Sequence, residues 1–248
     1  MDRKFHFNAQ PHQPRALVGL TNLGNTCFMN SVLQCLNATA PAVAFFLNGH
    51  HLQELNKNNS LRGQLAVVFA ELLKKLWTGR EGSSVSPTEV RGLFVRSAPM
   101  FANFGQHDAQ ECLRFLLDGL HEDLNRIRHK VPYEELKDIK GETDIEKSDR
   151  WWSHYRARND SAVSDIFSGQ LRSAVVCAAC GHVSTAFDPF YDLSIPIPSS
   201  RGRDVTIEAC LQVAAPHVTY TIYMYIYICP CLHVTAPHVT YMTYMTYI

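Results

Sequence analysis

The sequence predicts an α+β fold in which a helical part precedes a strand-rich part. Between Phe28 and Ile127, apolar residues recur every three or four positions, which is the period of a helix that buries one face. From Val163 onward polar and apolar residues alternate, which is typical of strands. The last forty residues contain no Lys, Arg, Asp or Glu and repeat the string Ala-Pro-His-Val-Thr-Tyr, so we expect a low-complexity tail. The expected parts are a disordered lead-in at 1–16, a helical part at 17–160, a strand-rich part at 161–211 and the tail at 212–248.

Charge and composition argue against several classes of function. The 23 basic and 23 acidic residues balance, so bulk charge gives no reason to expect binding to nucleic acid. No apolar core of a signal peptide follows Met1, and the eight cysteines are scattered, so we expect reduced thiols in the cytoplasm or the nucleus. Pro, His, Thr and Tyr interrupt the uncharged tail, which makes it a poor transmembrane helix, and we expect no membrane association.

A loop of Gly, Asn and Thr runs into a helix that we expect to begin at about Cys27. Thr26 or Asn25 is the predicted N-cap, because its side-chain oxygen can accept a free N–H of the first turn. The helix start also favours negative charge, so it favours thiolate over thiol at Cys27 and indicates a nucleophile. The alternative is that Cys27 is a small buried hydrophobe, as most free cysteines are.

Three further residues in or near this helix have an expected role. Asn22 lies five residues before Cys27, and its amide can donate to a developing oxyanion together with backbone N–H groups of the helix start. Cys35, two turns further on, is expected only to pack. Pro41 is expected to end the helix.

The longest apolar stripe predicts a helix that begins after Asp108. Asp108 and Glu111 have the spacing of a capping box, so both can serve the helix start alone. An earlier stripe from Leu65 to Leu76 predicts a second core helix, and the two tryptophans at 151 and 152 mark a short helix in a charged, solvated segment.

The strand-rich part is predicted to hold strands at 165–177, 183–188 and 190–198. Cys177 and Cys180 lie in a C-x-x-C-G turn between the first two, a geometry that presents two thiolates to one metal ion. A structural zinc site needs four ligands, and the spacing of Cys229 and Cys231 does not complete it. An unmetallated turn is therefore the alternative, and His182 is expected to be a surface residue.

Three segments resemble the ubiquitin-specific proteases, in that family's order. The string N-L-G-N-T-C-F-M-N-S-V-L-Q-C-L, from Asn22 to Leu36, resembles the cysteine box, and Q-H-D-A-Q-E, from Gln106 to Glu111, resembles the second signature. The third segment resembles the start of the fingers region of members that carry zinc, and it contains the strings F-S-G-Q-L, C-x-x-C-G and F-D-P-F-Y-D-L-S-I-P-I-P.

The resemblance implies a papain-like fold with a helical thumb and the start of β-rich fingers. It implies a cysteine deubiquitinase with Cys27 as nucleophile and Asn22 as oxyanion donor. Asp108 and Glu111 would line the channel for the basic tail of ubiquitin, so ubiquitin and ubiquitinated proteins are the expected partners. Cys177 and Cys180 would belong to a structural zinc site, and catalysis would need no cofactor.

The sequence lacks a matching histidine box, which in this family supplies the base. The resemblance ends near Leu211, and the later histidines His217, His233 and His238 lie in contexts that do not match. We therefore expect a truncated domain with little or no hydrolase activity, since a thiol nucleophile needs a positioned base. The alternatives are a catalytically dead fragment that binds ubiquitin or a partner, and a chain that is not stably folded.

Overall fold

The computed structural model describes residues 18–129 and 131–193. The lead-in, the tail, Cys229 and Cys231, and most of the third predicted strand lie outside the described residues. The described residues form two compact units. The helical unit contains residues 18–129 and 159–166, and the hairpin unit contains residues 131–158 and 167–193. The mixture of helices and strands confirms the α+β class.

The helical unit is a set of packed helices with one short pair of strands. The strands β1 and β2 are parallel, with Gly19 opposite Ser84. The elements are β1 (Gly19–Leu20), α1 (Cys27–Asn37), α2 (Ala40–Leu47), α3 (His51–Glu54), α4 (Gln64–Thr78), β2 (Ser84–Val85), α5 (Thr88–Ser97), a 3₁₀ turn (Pro99–Phe101) and α6 (Ala109–Leu124). A further helix, α8 (Ala162–Phe167), begins in this unit.

The core of the helical unit forms where the predicted stripes of α1, α4 and α6 meet. Leu33, Leu65, Leu73 and Leu120 are each almost completely buried. A buried leucine contributes about 2 kcal/mol relative to an exposed one, so these stripes are a main source of stability. Gly119 lets α4 and α6 approach closely, because a Cβ there would lie 2.8 Å from Cδ2 of Leu65.

Pro41 does not end the first helix as predicted. Helix α1 already ends at Asn37, and Pro41 lies in the first turn of α2. Proline is tolerated at this position because an N–H in the first turn has no partner within its helix. The apolar run after it therefore forms a second helix whose residues 41–46 are all buried.

Asp123 of α6 caps a different helix, α4. Its Oδ1 accepts hydrogen bonds from Nδ2 of Asn59 at 2.5 Å and from the backbone N of Gly63 at 3.2 Å. Its Oδ2 accepts from the backbone N of Ala66 at 3.0 Å. The Asp123 side chain is fully buried, so it satisfies α4 donors that water cannot reach.

Arg126 follows α6 and contacts three carboxylates of the helical unit. Its guanidinium donates to Glu54 at 3.0 Å, Asp160 at 2.8 Å and Asp165 at 3.0 Å. Burial alone would lower the pKa of Arg126, but the hydrogen bond to Glu54 and the negative charges of Asp165 and Glu54 raise it above its ordinary value. The cluster therefore links α3, which contains Glu54, to α8, which contains Asp165, and to the segment just before α8.

The hairpin unit contains α7 (Asp144–Arg156) and the antiparallel strands β3 (Gly169–Val176) and β4 (Val183–Phe190). The register pairs Gly169 with Phe190 and Val176 with Val183. Helix α7, expected from its aromatic residues, begins with a capping box between Thr143 and Glu146. The prediction that β3 begins at Asp165 is wrong, because that residue lies in α8 and its carboxylate binds Arg126.

None of the helices within residues 18–129 and 131–193 is long and apolar enough to cross a membrane.

Candidate active site

Cys27 is the first residue of α1, as predicted, and it is exposed. The loop before it is held at its start by two amides of α1. Asn30 donates from Nδ2 to the carbonyl of Thr21 at 3.3 Å, and Gln34 donates from Nε2 to that of Val18 at 3.2 Å. The backbone N of Thr21 also donates to Val85 of β2 at 2.9 Å. The first residues of the loop that leads to Cys27 are therefore held by side chains of the helix that follows the loop.

Thr26 is the N-cap residue of α1, as predicted, but its side chain makes no hydrogen bond to the first turn, so that part of the prediction is wrong. Its hydroxyl accepts instead from the backbone N of Leu23 at 2.9 Å and bonds the side-chain oxygen of Asn22 at 3.1 Å. Within the described chain no side-chain hydrogen bond caps the start of α1. The N–H groups of this helix start therefore remain available to a ligand beside Cys27.

Asn22 is oriented by hydrogen bonds to its side-chain oxygen. This Oδ1 accepts from the backbone N of Gly24 at 3.0 Å and of Thr26 at 3.1 Å. Because both partners are N–H donors, the amide oxygen must face the loop and the amide nitrogen must face away from it. The Nδ2 of Asn22 makes no hydrogen bond within residues 18–129 and 131–193, so it remains a donor for an oxyanion.

The turn before Cys27 passes through two left-handed residues. Gly24 has φ +99° and Asn25 has φ +53°, a region that glycine and asparagine adopt most readily. Asn25 donates from Nδ2 to the carbonyl of Phe104 at 2.8 Å. It accepts at Oδ1 from Nε2 of Gln106 at 3.3 Å, and Oε1 of Gln106 lies 3.6 Å from the Cys27 sulfur.

No histidine hydrogen-bonds Cys27 among the residues that the structure describes. His107 is in the neighbouring segment, but its ring packs against Phe28 and Phe101 at centroid distances of 5.2 and 4.9 Å. Its Nε2 bonds Oδ1 of Asn103 at 2.8 Å. His107 therefore lies half-buried between two phenylalanines and supports the loop.

Asp108 is the N-cap of α6, as its position predicts. Its Oδ1 accepts from the backbone N of Glu111 at 3.0 Å. The reciprocal bond of a capping box, from the Asp108 N–H to the Glu111 carboxylate, is not formed within the described part of the chain. Both side chains are exposed, two and five residues after the Gln106 that contacts Cys27. A basic peptide segment can therefore approach both carboxylates from solvent.

The other two cysteines of the helical unit differ in exposure. Cys35 is exposed, so the prediction that it only packs is wrong: it lies on the outward face of α1. Cys112 of α6 is completely buried, and burial raises the pKa of its thiol to about 12. Cys112 therefore remains a protonated core residue at neutral pH.

Cys177 and Cys180 lie in the exposed turn between β3 and β4, as predicted. Hydrogen bonds from the backbone N–H groups of Cys180 and Ala179 lower the pKa of Cys177. Gly181 has φ +69° and closes the turn by donating to the carbonyl of Cys177 at 2.8 Å. His182 is exposed, as expected. Among the described residues, no three side chains of His, Cys, Asp or Glu gather at one point where a metal ion could bind.

Sequence reasoning missed the amides that hold the loop. Asn30 and Gln34 lie one turn apart on α1, and this spacing of two polar residues on one face was the available signal. The contacts of Asn25 and Gln106 join segments that are 81 residues apart. No local pattern gives such a contact.

A family profile described as ubiquitin carboxyl-terminal hydrolase matches residues 18–242. The chain is 50% identical over 197 residues to the putative ubiquitin carboxyl-terminal hydrolase 11 of Arabidopsis thaliana, covering 79% of this chain and 22% of that protein. It is 46% identical over 214 residues to ubiquitin carboxyl-terminal hydrolase 4 of Pongo abelii, covering 86% of this chain and 22% of that protein. The chain thus spans about a fifth of the length of these relatives.

Two solved structures share the fold. One is the SAGA DUB module of Ubp8, Sgf11, Sus1 and Sgf73 bound to monoubiquitin, with a TM-score of 0.55 and 23% identity over 81% of this chain and 39% of the other. The second is the same module bound to ubiquitin aldehyde, with a TM-score of 0.51 and 22% identity. This likeness supports the fold predicted from the sequence.

Proposed function

The chain belongs to the ubiquitin carboxyl-terminal hydrolase family, and from this premise we propose that Cys27 is the nucleophile of a site for the C-terminal glycine of ubiquitin. The observation that carries the proposal is the geometry at the start of α1. The Cys27 thiol is exposed, and within the described part of the chain no side chain caps the N–H groups of the helix start. Asn22 lies in the loop just before them, and its amide nitrogen faces away from that loop. These are the parts that acyl transfer to a thiol requires.

In the proposed reaction the Cys27 sulfur attacks the carbonyl carbon of ubiquitin's last glycine. The carbonyl oxygen gains negative charge, which Nδ2 of Asn22 and the backbone N–H groups of the helix start stabilise. The amine then leaves, taking a proton, and a thioester joins Cys27 to ubiquitin until water cleaves it.

Asp108 and Glu111 are proposed to bind the basic tail of ubiquitin. Both carboxylates are exposed, two and five residues after the Gln106 that contacts Cys27, and an arginine can form paired hydrogen bonds with a carboxylate. Asp108 has one oxygen engaged by the N–H of Glu111, which fixes the direction of the other. Ubiquitin and ubiquitinated proteins are thus the proposed partners.

We propose that this chain by itself turns over ubiquitin substrates little or not at all. Within the described residues no histidine hydrogen-bonds Cys27, and the sequence beyond Leu211 has no matching histidine box. A positioned base contributes roughly 10²–10⁴ in rate. We expect no release of fluorophore from a ubiquitin C-terminal amide above the level of a Cys27→Ala chain. Turnover that the Cys27→Ala change abolishes would contradict this.

The second candidate function is reversible binding of ubiquitin or another partner without chemistry, which the lack of a matching histidine box in the sequence favours. A ubiquitin carrying a C-terminal electrophile separates the two. Covalent labelling at Cys27 needs a formed site and a reactive sulfur, whereas the binding function needs only saturable, reversible association.

We propose that Cys177 and Cys180 can supply two of the four ligands of a structural zinc ion. The lowered pKa of Cys177 and the tight turn fit that role. The described residues supply no third and fourth ligand beside them. We therefore expect less than one zinc ion per purified chain, and one stoichiometric ion lost in Cys177→Ser would contradict this.

A further inference from the structure

Two side-chain amides connect the Cys27 sulfur to a backbone carbonyl across the loop. The carbonyl of Phe104 accepts from Nδ2 of Asn25 at 2.8 Å. Oδ1 of Asn25 accepts from Nε2 of Gln106 at 3.3 Å, and Oε1 of Gln106 is 3.6 Å from the sulfur. The four groups form one chain of hydrogen bonds.

The backbone carbonyl fixes the direction of every bond in this chain. A carbonyl only accepts, so the amide of Asn25 must turn its nitrogen toward Phe104 and its oxygen toward Gln106. Nε2 of Gln106 must then donate to Oδ1 of Asn25, so Oε1 of Gln106 faces Cys27. An amide oxygen only accepts, so the sulfur must donate. A thiol can donate a hydrogen bond and a thiolate cannot.

We propose that Gln106 is a positioning residue that holds Cys27 as a resting thiol, so that the sulfur ionises when the Gln106 amide turns or is displaced. This deepens the proposed function and rests on Cys27 being its nucleophile. A turned amide presents Nε2 to the sulfur and stabilises the thiolate. Gln106 is exposed and lies two residues before Asp108, so a ubiquitin tail bound there adjoins the amide that must turn.

The test is the rate at which iodoacetamide alkylates Cys27 in the full 248-residue chain at neutral pH, since the thiolate is the reacting form. Gln106→Met keeps the length of the side chain and removes the acceptor, so alkylation accelerates about threefold, the effect of one modest hydrogen bond. Gln106→Glu places a negative charge beside the sulfur, which disfavours thiolate and slows alkylation by about the same factor. Cys35, exposed and on the same tryptic peptide, is the internal reference.

A purely structural role for Gln106 predicts that both variants change the rate in the same direction, because both break its bond to Asn25. That result, or no change in either variant, would overturn the proposal. Gln110→Glu introduces the same charge at an exposed position four residues on, and an equal slowing there would also overturn it. Thermal unfolding of each variant checks the fold. Failure of the proposed function is seen separately, as a lack of Cys27 labelling by a ubiquitin electrophile in the unsubstituted chain.

Discussion

The side-chain oxygen of Asn22 lies 3.1 Å from both the backbone nitrogen and the hydroxyl oxygen of Thr26. Asn22 precedes the candidate nucleophile by five residues, and Thr26 precedes it by one. The pair therefore sets the shape of the loop and the direction of the Asn22 amide nitrogen at the same time. The oxyanion role proposed for Asn22 depends on this direction.

Asn22→Asp tests that role with almost no change in shape. Aspartate keeps the oxygen that accepts from Gly24 and Thr26, but it has no N–H to donate. We expect affinity for ubiquitin aldehyde, whose adduct with a thiol carries an oxygen at the oxyanion position, to fall at least about tenfold. Affinity for unmodified ubiquitin is the control and should stay the same. Equal losses for both ligands would show that Asn22 only shapes the binding surface.

Thr26→Val should destabilise the helical unit. The hydroxyl of Thr26 accepts from the backbone N of Leu23 at 2.9 Å, and Thr26 is buried. Valine leaves that N–H without a partner, so we expect the free energy of unfolding in urea to fall by about 1–3 kcal/mol. Thr26→Ser keeps the hydroxyl and should lose less than valine does. If the two variants are equally unstable, the hydrogen bond is not the cause.

Asp123→Asn should lower the free energy of unfolding more than the same substitution at the surface does. Asparagine places an N–H₂ group among the three donors, from Asn59, Gly63 and Ala66, that the carboxylate now accepts. We expect a loss of about 3 kcal/mol in the free energy of unfolding, measured by urea denaturation. Asp118→Asn, at an exposed position of α6, is the matched control and should change stability by less than about 0.5 kcal/mol. Similar effects in the two variants would contradict the capping role of Asp123.

Cys112 should make the stability depend on pH in alkaline solution. Its pKa is raised from the ordinary value of 9.0 to about 12, so the folded state keeps a proton that the unfolded state releases. The contribution of this thiol is complete below pH 9 and is lost as the pH rises toward 12. Cys112→Ala should flatten the fall in unfolding free energy over that range, whereas Cys35→Ala should not. An unchanged slope in Cys112→Ala would contradict the assignment.

The helices α1, α4 and α6 could be predicted because their apolar period alone specifies a buried face. The start of α1 at Cys27 could be predicted from the same period, and the hairpin around Cys177 from the alternation of its strands and the C-x-x-C-G turn between them. The pairing of β1 with β2 could not, since two strands of two residues carry no period of their own. Asp165 begins a segment of alternating polar and apolar residues, which predicted a strand, yet it lies in α8 and forms an ion pair with Arg126. The local pattern does not reveal this long-range contact.

The candidate site shows the same limit. Cys27, Asn22, Asp108 and Glu111 could be named from residue type and position, because a thiol at a helix start and a nearby amide have chemistry of their own. Thr26 is the N-cap residue of α1, as predicted, but its lack of a side-chain hydrogen bond to the helix could not be predicted, because its hydroxyl bonds Leu23 and Asn22 in the loop instead. The proposed role of Gln106 depends on a chain of contacts that only the fold brings together.

The most direct test of the proposed function is reaction of the 248-residue chain with ubiquitin carrying a C-terminal electrophile, followed by mass mapping of the adduct. We predict one ubiquitin per chain, attached at Cys27, and loss of the adduct in Cys27→Ala. Asp108→Asn combined with Glu111→Gln should slow the reaction, because both changes remove charge that attracts the basic tail. Reversible binding without an adduct, or an adduct that persists in Cys27→Ala, would contradict the proposal that Cys27 is the nucleophile.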